Sequence, residues 1–246
     1  MDARTIFAEI VDYSAHLITR AKPLIDHSFP AVCHLCSAQA HGSLCHDCVN
    51  TLPRNDGPRC SLCDVPTAHQ ALCCGDCLTK PPSFDRIVTS WRYEPPVSHL
   101  IQGLKDRHEH FWIPTLAEPL INRIDALPDL IVPTPIHWSR RIRRGFNQSQ
   151  LLAAHLSRHL KCPARSILVK HTRTVAQKNL NRKKRLQNLK SSFTCKESVQ
   201  GKHIALVDDV VTTGATAEIL ARILKAHGAS KVDIWALART PAPVHD

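Results

Sequence analysis

Eight cysteines in the first third of the chain fall into four C-x-x-C pairs: Cys33-His-Leu-Cys36, Cys45-His-Asp-Cys48, Cys60-Ser-Leu-Cys63 and Cys74-Gly-Asp-Cys77. A two-residue gap turns the chain tightly enough to aim two thiolates at one ion. Two such turns complete a tetrahedron, the geometry zinc takes from sulfur. Eight residues separate the first two pairs and ten the last two, which reads as a repeated unit. On that reading Cys33, Cys36, Cys45 and Cys48 hold one structural Zn2+, and Cys60, Cys63, Cys74 and Cys77 a second; a cross-braced pairing satisfies the same spacing. Cys73 adjoins the last pair, but only Cys74 keeps the two-residue gap to Cys77. Redox work by a single C-x-x-C is the competing chemistry, and four pairs in succession favour metal. Cys162 and Cys195 stand alone and read as packing residues. Residues 31–80 carry few large apolar side chains, so metal must supply the fold, at about 10–16 kcal/mol of apparent binding energy in small zinc modules. Metal removal is therefore expected to unfold this quarter and leave the rest.

A second constellation lies far downstream. The apolar run Ile204-Ala205-Leu206-Val207 leads into Asp208 and Asp209, then into Thr212-Thr213-Gly214-Ala215-Thr216 and an apolar-periodic stretch to Ala226. Adjacent carboxylates at a strand end are costly unless something uses them. Amides at the start of the following helix favour an anion, and threonine hydroxyls add donors. The carboxylates repel phosphate but accept hydrogen bonds from a diol. Phosphate on one side and diol on the other describes a ribose 5-phosphate. No G-x-x-x-x-G-K-[ST] occurs, so a nucleotide-hydrolase P-loop is unsupported.

Strands and helices must position these groups. Arg86–Trp91, Asp129–Val132, Ile167–Val169, 203–207 and 231–237 read as strands. Val97–Arg107, Phe111–Ile124, Ser149–Leu160 and 215–226 read as helices, with Pro114 and Pro119 weakening the second. Arg140–Gln148 connects a strand to a helix, and 171–192 is a long polar loop. Alternation of this kind implies an α/β fold with a mostly parallel sheet, whose ligands bind beyond the carboxyl ends of the strands. The organisation expected is a helical segment over 1–30, a cysteine-rich module over 31–80, an α/β domain over 81–240 and a tail over 241–246.

The chain is strongly basic, with a formal charge of +11. The 67 residues from Leu130 to Lys196 hold 16 of the 32 Lys and Arg and no Asp or Glu. A one-signed surface of that size reads as a phosphate- or polyanion-binding face, and Trp138 and Phe146 beside the arginines could stack on bases. No apolar run spans a bilayer and no secretory h-region precedes the charged residues near the start, so a cytoplasmic protein without membrane insertion is expected.

LVDDVVTTGAT resembles the phosphoribosyl pyrophosphate motif of type I phosphoribosyltransferases. Together with the paired cysteine turns, PPSFDRIVTSWRYEPPVSHLIQGLK, IVPTPIHWSRRIRRGFNQSQLLA, RTVAQKNLNRKKRLQNLKSSF and the closing ALART, the chain resembles the ComF (GntX) family over about residues 30–240. The resemblance implies a phosphoribosyltransferase-like domain behind a double zinc ribbon. It implies that Asp208 and Asp209 take the ribose hydroxyls and any catalytic part. Thr212, Thr213, Gly214, Ala215 and Thr216 would take the 5′-phosphate, with Lys105 and Arg144 near a Mg2+-bound pyrophosphate. Arg173–Arg185 resembles the loop that covers the site in transferases. Asp106 follows Lys105 where the family commonly has an aromatic, a departure that bears on local packing. Arg140, Arg141, Arg143, Arg144, Phe146, Arg173, Arg182, Lys183, Lys184 and Arg185 are the nucleic-acid candidates. Three functions are weighed: handling of single-stranded DNA in uptake or use of external DNA, with a phosphoribosyl ligand; phosphoribosyl transfer to a nucleobase; and a scaffold for a helicase-like DNA-processing partner.

Overall fold

The computed structural model describes residues 31–68, 73–171 and 192–241. The helical segment expected before residue 30 and most of the 171–192 loop lie outside them. Residues 1–51 and 52–246 form two compact units.

In the first unit, β1 (Ala31–Val32) pairs antiparallel with β2 (Gln39–Ala40), and α1 (His46–Thr51) follows. The turn between the strands is a knuckle. Cys33 donates its N–H to Ala38 O at 2.7 Å, Ser37 donates to Cys33 O at 2.8 Å, and Ser37 sits in the left-handed region at φ 61°.

The second unit opens with the same knuckle. Cys60 donates to Val65 O at 2.9 Å, Asp64 to Cys60 O at 3.0 Å, and Asp64 has φ 58°. The elements then run α2 (Gly75–Thr79), β3 (Arg86–Arg92), α3 (Val97–Asp106), α4 (Trp112–Ile121), β4 (Leu130–Pro133), α5 (Trp138–Arg144), α6 (Gln148–Leu160), β5 (Leu168–Lys170), β6 (Phe193–Cys195), β7 (His203–Val211), α7 (Ala215–Ala226) and β8 (Lys231–Arg239). The cysteine-rich stretch expected as one module is thus divided between the units.

Four strands form a parallel sheet in the order β3-β8-β7-β4. Central β8 reads Lys-Val-Asp-Ile-Trp-Ala-Leu-Ala-Arg and is buried along almost its whole length, the near-continuous apolar run a parallel strand covered on both faces requires. Its fully buried exception, Asp233, meets His203 Nε2 at 2.9 Å and Lys231 Nζ at 3.0 Å. α7 closes a core of Ile87, Ile204, Leu206, Ile234, Leu220 and Leu224. α4 and α6 pack on each other and on the sheet as a second layer, burying Leu116, Leu120, Leu152 and Leu156. Pro119 lies inside α4 without ending it. No helix among the described residues is long and apolar enough to cross a membrane.

Three elements differ from the sequence reading. β7 does not stop at Val207 but runs on through the acidic pair to Val211, because β8 continues pairing beside it as far as Arg239. The arginine segment is helical from Trp138 to Arg144, closed by Gly145 at φ 77°. β5 pairs antiparallel with β6, outside the main sheet.

Candidate functional site

Each cysteine tetrad is assembled in chain order, not cross-braced: Cys33, Cys36, Cys45 and Cys48 in one group, Cys60, Cys63, Cys74 and Cys77 in the other, with the sulfurs of each within 4.8 Å of one another. Cys36 and Cys45 sulfurs lie 3.7 Å apart, and Cys63 and Cys74 sulfurs 3.6 Å. A tetrahedron with Zn–S bonds of about 2.3 Å has edges of about 3.8 Å, whereas a disulfide needs about 2.05 Å. Donor set and spacing therefore fit zinc. Amides stabilise the sulfurs: Cys74 N–H points at Cys60 Sγ, 3.2 Å away. Burial alone would hold the Cys60 thiol up, but amides of Cys63, Cys74 and Leu62 outweigh it and bring it down to about 6. Arg239, buried at the end of β8, has its basicity lowered by burial and partly restored by Cys63, Asp64, Cys74 and Cys77.

The second ribbon is sewn to the sheet. Arg92 N–H donates to Pro53 O, Asn55 N–H to Ser90 O and Ile87 N–H to Leu62 O, at 2.7 to 2.9 Å, so residues 53–62 run along the β3 edge. Asp64 is the fastening. Its buried carboxylate accepts from Arg59 Nη1 at 2.9 Å, Asn55 Nδ2 at 3.1 Å, and the Thr89 amide at 3.0 Å and hydroxyl. Arg123 lies at 3.6 Å from it and also reaches Thr89 O. The sequence reading gave Asp64 no role; its position directly after a C-x-x-C, where an αL residue closes the knuckle, was the available signal.

The acidic pair lies where the sheet is notched. β4 ends at Pro133, opposite Val207, while β7 continues four residues further beside β8. Asp208 and Asp209 therefore occupy a strand with one edge paired and the other open. Asp208 accepts from Ser149 Oγ at 3.0 Å and from the Asp209 amide at 2.9 Å. Burial first, and then the charge of Asp209, raise its carboxyl to about 7. Asp209 pairs with Lys105 Nζ at 2.7 Å and accepts from the Val210 amide at 2.9 Å. Ser149 is placed by the start of α6, where Asn147 Oδ1 takes the Ser149 amide at 3.1 Å and Asn147 Nδ2 reaches Thr134 O at 3.0 Å. These links fix the end of β4 to α6 and aim Ser149 at the acid pair. The sequence reading quoted Asn147 and Ser149 without assigning either a role.

Beyond the acids, Gly214 at φ 74° turns the chain into α7 with no side-chain cap on it. Thr213 Oγ1 accepts from the Ala215 amide at 3.4 Å. Thr134, Asp208, Thr212, Gly214, Ala215 and Thr216 line one cavity. Fixed N–H groups at a helix start and a flanking carboxylate thus share a concave wall, as an esterified sugar requires.

The basic candidates divide. Lys105 joins Asp209, and Arg144 Nη2 donates to Asp106 Oδ1 at 3.2 Å, which brings the ends of α3 and α5 towards the acid pair. Asp106 thus holds an arginine. Phe146 packs its ring against His108 and His110, with centroids 4.8 and 4.4 Å away. Burial, then the charge of His108, keep His110 less basic than usual. Arg141 is exposed. Arg140 and Arg143 lie on α5, and Arg173, Arg182, Lys183, Lys184 and Arg185 lie outside the described residues.

A four-stranded parallel sheet carrying an acid pair and a threonine–glycine turn at its notch is a phosphoribosyltransferase-type domain, and residues 147–245 match the phosphoribosyl transferase domain family. Residues 24–78 match the double zinc ribbon family. The relatives narrow the class. The chain is 40% identical over 223 residues to the DNA utilization protein YhgH of Escherichia coli (strain K12), covering 86% of this chain and 98% of that protein. It is 37% identical to competence protein F of Haemophilus influenzae, over 81% of this chain and 92% of that one. With competence protein ComFC of Bacillus subtilis it shares 28% identity over 80% and 84%. The chain belongs to the ComF/GntX family.

Proposed function

We propose that this protein handles single-stranded DNA during uptake or use of external DNA, and that its α/β domain binds a phosphoribosyl pyrophosphate-type ligand. The observation that carries the ligand reading is the notch, where the α7 start and the Asp208 carboxylate line one cavity, while Asp209, next along the strand, lines a neighbouring pocket with Leu104, His110 and Gln148. In this reading Thr212–Thr216 hold the 5′-phosphate and Asp208 and Asp209 take the ribose hydroxyls. Lys105 and Arg144 meet the pyrophosphate, and the acid pair offers the oxygen donors a hard Mg2+ prefers. Lys105 and Asp209 are bonded to each other at 2.7 Å, so engaging both requires that pair to open. The DNA reading is supported by the names of the relatives and by the acid-free basic stretch.

Titration of phosphoribosyl pyrophosphate with Mg2+ into the wild-type and Asp209→Ala proteins tests the site. Saturable heat in the wild type, weakened about 10- to 150-fold in the variant as one to two charged hydrogen bonds imply, supports it. No binding to the wild type ends it. Pyrophosphate released on adding a nucleobase would extend the reading to transfer chemistry. Binding of DNA by basic groups must fall with salt, with a slope near −0.7 per phosphate neutralised; salt-insensitive binding contradicts that half.

A further inference from the structure

We infer that the outer face of α5, formed by Trp138 and Ile142, is a base-stacking platform for single-stranded DNA. The inference rests on the reading that the protein engages such DNA, and it names the surface that touches the bases. Of the four tryptophans, Trp91, Trp112 and Trp235 are 0 to 3% exposed, while Trp138 is 62% exposed. Ile142 is 73% exposed and lies four residues on, hence on the same helix face. An indole and a branched aliphatic side chain side by side in water are a cost to the free protein, and such patches mark contact surfaces.

The surrounding chemistry selects the occupant. α5 reads Trp-Ser-Arg-Arg-Ile-Arg-Arg, with Arg141 exposed between the two apolar residues. The helix sits within 67 residues that contain 16 cations and no carboxylate. An apolar plate on a helix with four arginines, one of them paired with Asp106, suits a ligand with flat apolar faces and a polyanionic backbone, which is single-stranded nucleic acid. Along the helix Trp138 and Ile142 are about 6 Å apart in rise, close to two stacked nucleotides at about 3.4 Å each. His137 orients the platform. Its ring accepts the Ser139 amide at 3.2 Å, contacts the His171 carbonyl at 3.2 Å, and lies 5.4 Å from the Trp138 ring. Phe146, the other aromatic beside the arginines, has its ring against two imidazoles.

The test uses the full-length, zinc-loaded protein and a 20-residue oligothymidylate, read by intrinsic tryptophan fluorescence and by anisotropy of a labelled strand. DNA should quench the wild-type emission, since one indole is exposed and three are buried. Trp138→Ala should weaken binding about 5- to 150-fold, the range of one lost base stack, with zinc content and melting temperature unchanged. Trp138→Phe should keep most of the affinity and lose the quench. The salt slope should be the same in all three proteins, because stacking releases no counterions. Wild-type binding with Trp138→Ala within twofold and no quench overturns the platform and leaves the DNA reading standing; it would assign the face to another occupant, such as a protein. Failure of the wild type to bind the strand overturns both. A Trp138→Ala loss accompanied by a shallower salt slope overturns stacking in favour of displaced cations.

Discussion

The two cysteine knuckles are built alike and used differently. Each folds its C-x-x-C around the same pair of backbone hydrogen bonds, and each ends on a left-handed residue. In the first that residue is Ser37, exposed. In the second it is Asp64, buried, with two arginines, an asparagine and Thr89 around its carboxylate. One ribbon belongs to its own unit, and the other is an added edge of the sheet that carries the acid pair. A metal module repeated in sequence need not be repeated in its contacts; a single carboxylate at the end of the second knuckle ties that ribbon to the sheet.

The sharpest way to break this contrast is to remove one ligand from each tetrad. Cys60→Ser should cost one zinc per chain, lower the main unfolding transition by roughly 10 °C or more at about 2–4 °C per kcal/mol, and weaken phosphoribosyl pyrophosphate binding. Cys33→Ser should also cost one zinc yet leave that transition within about 2 °C; metal analysis and calorimetry read both. Equal effects would mean the two ions do the same job.

A smaller effect isolates the fastening. Asp64→Asn keeps a residue that tolerates the left-handed region and removes only the charge, stranding Arg59 and Arg123. Breaking a buried pair on one side costs about 3–5 kcal/mol, whereas Ser37→Ala should change stability by no more than about 0.5 kcal/mol. Denaturant midpoints of the two variants measure the difference directly.

Asp208 sharpens the comparison from the other end, since it sits beside a second acid instead of among cations. Its folded carboxyl is raised to about 7, well above an ordinary aspartate at about 3.9. The folded state therefore holds the proton more tightly than the unfolded one. That contribution is complete below about pH 4 and is lost as pH rises to about 7. Asp208→Asn should melt higher than wild type at pH 8, with the gap narrowing towards pH 5; a gap that widens on acidification would reverse the assignment. At the same site, Ser149→Ala removes one hydrogen bond to Asp208 and should cost about 1 kcal/mol, seen as a slight fall in melting temperature.

Much of this was legible because zinc chemistry is written locally. Residue type and a two-residue gap specify the tetrads, and their sequential pairing needed only the structure to exclude cross-bracing. The α/β alternation and the parallel sheet follow from short apolar runs between helical periods. What escaped the sequence depended on partners distant in the chain. Carboxylates looked like the end of a strand, yet β7 continues through them because β8 pairs beside it to Arg239, and Ser149 and Lys105, 59 and 104 residues away, supply partners for the carboxylates. The helix over Trp138–Arg144 was hidden by its run of charge, although Gly145 just beyond it is a C-terminal signal. β6 was missed because Phe193–Cys195 has only a three-residue partner in β5.

The place where β4 gives out has a wider consequence. Proline at 133 brings the neighbouring strand to its end while β7 goes on, so the recess is made by chain that is not there. Shapes of that kind are indifferent to the identity of their walls. Evolution or an engineer can therefore exchange residues around the recess without ever filling it, and kin that kept the architecture could alter what it admits in very few steps.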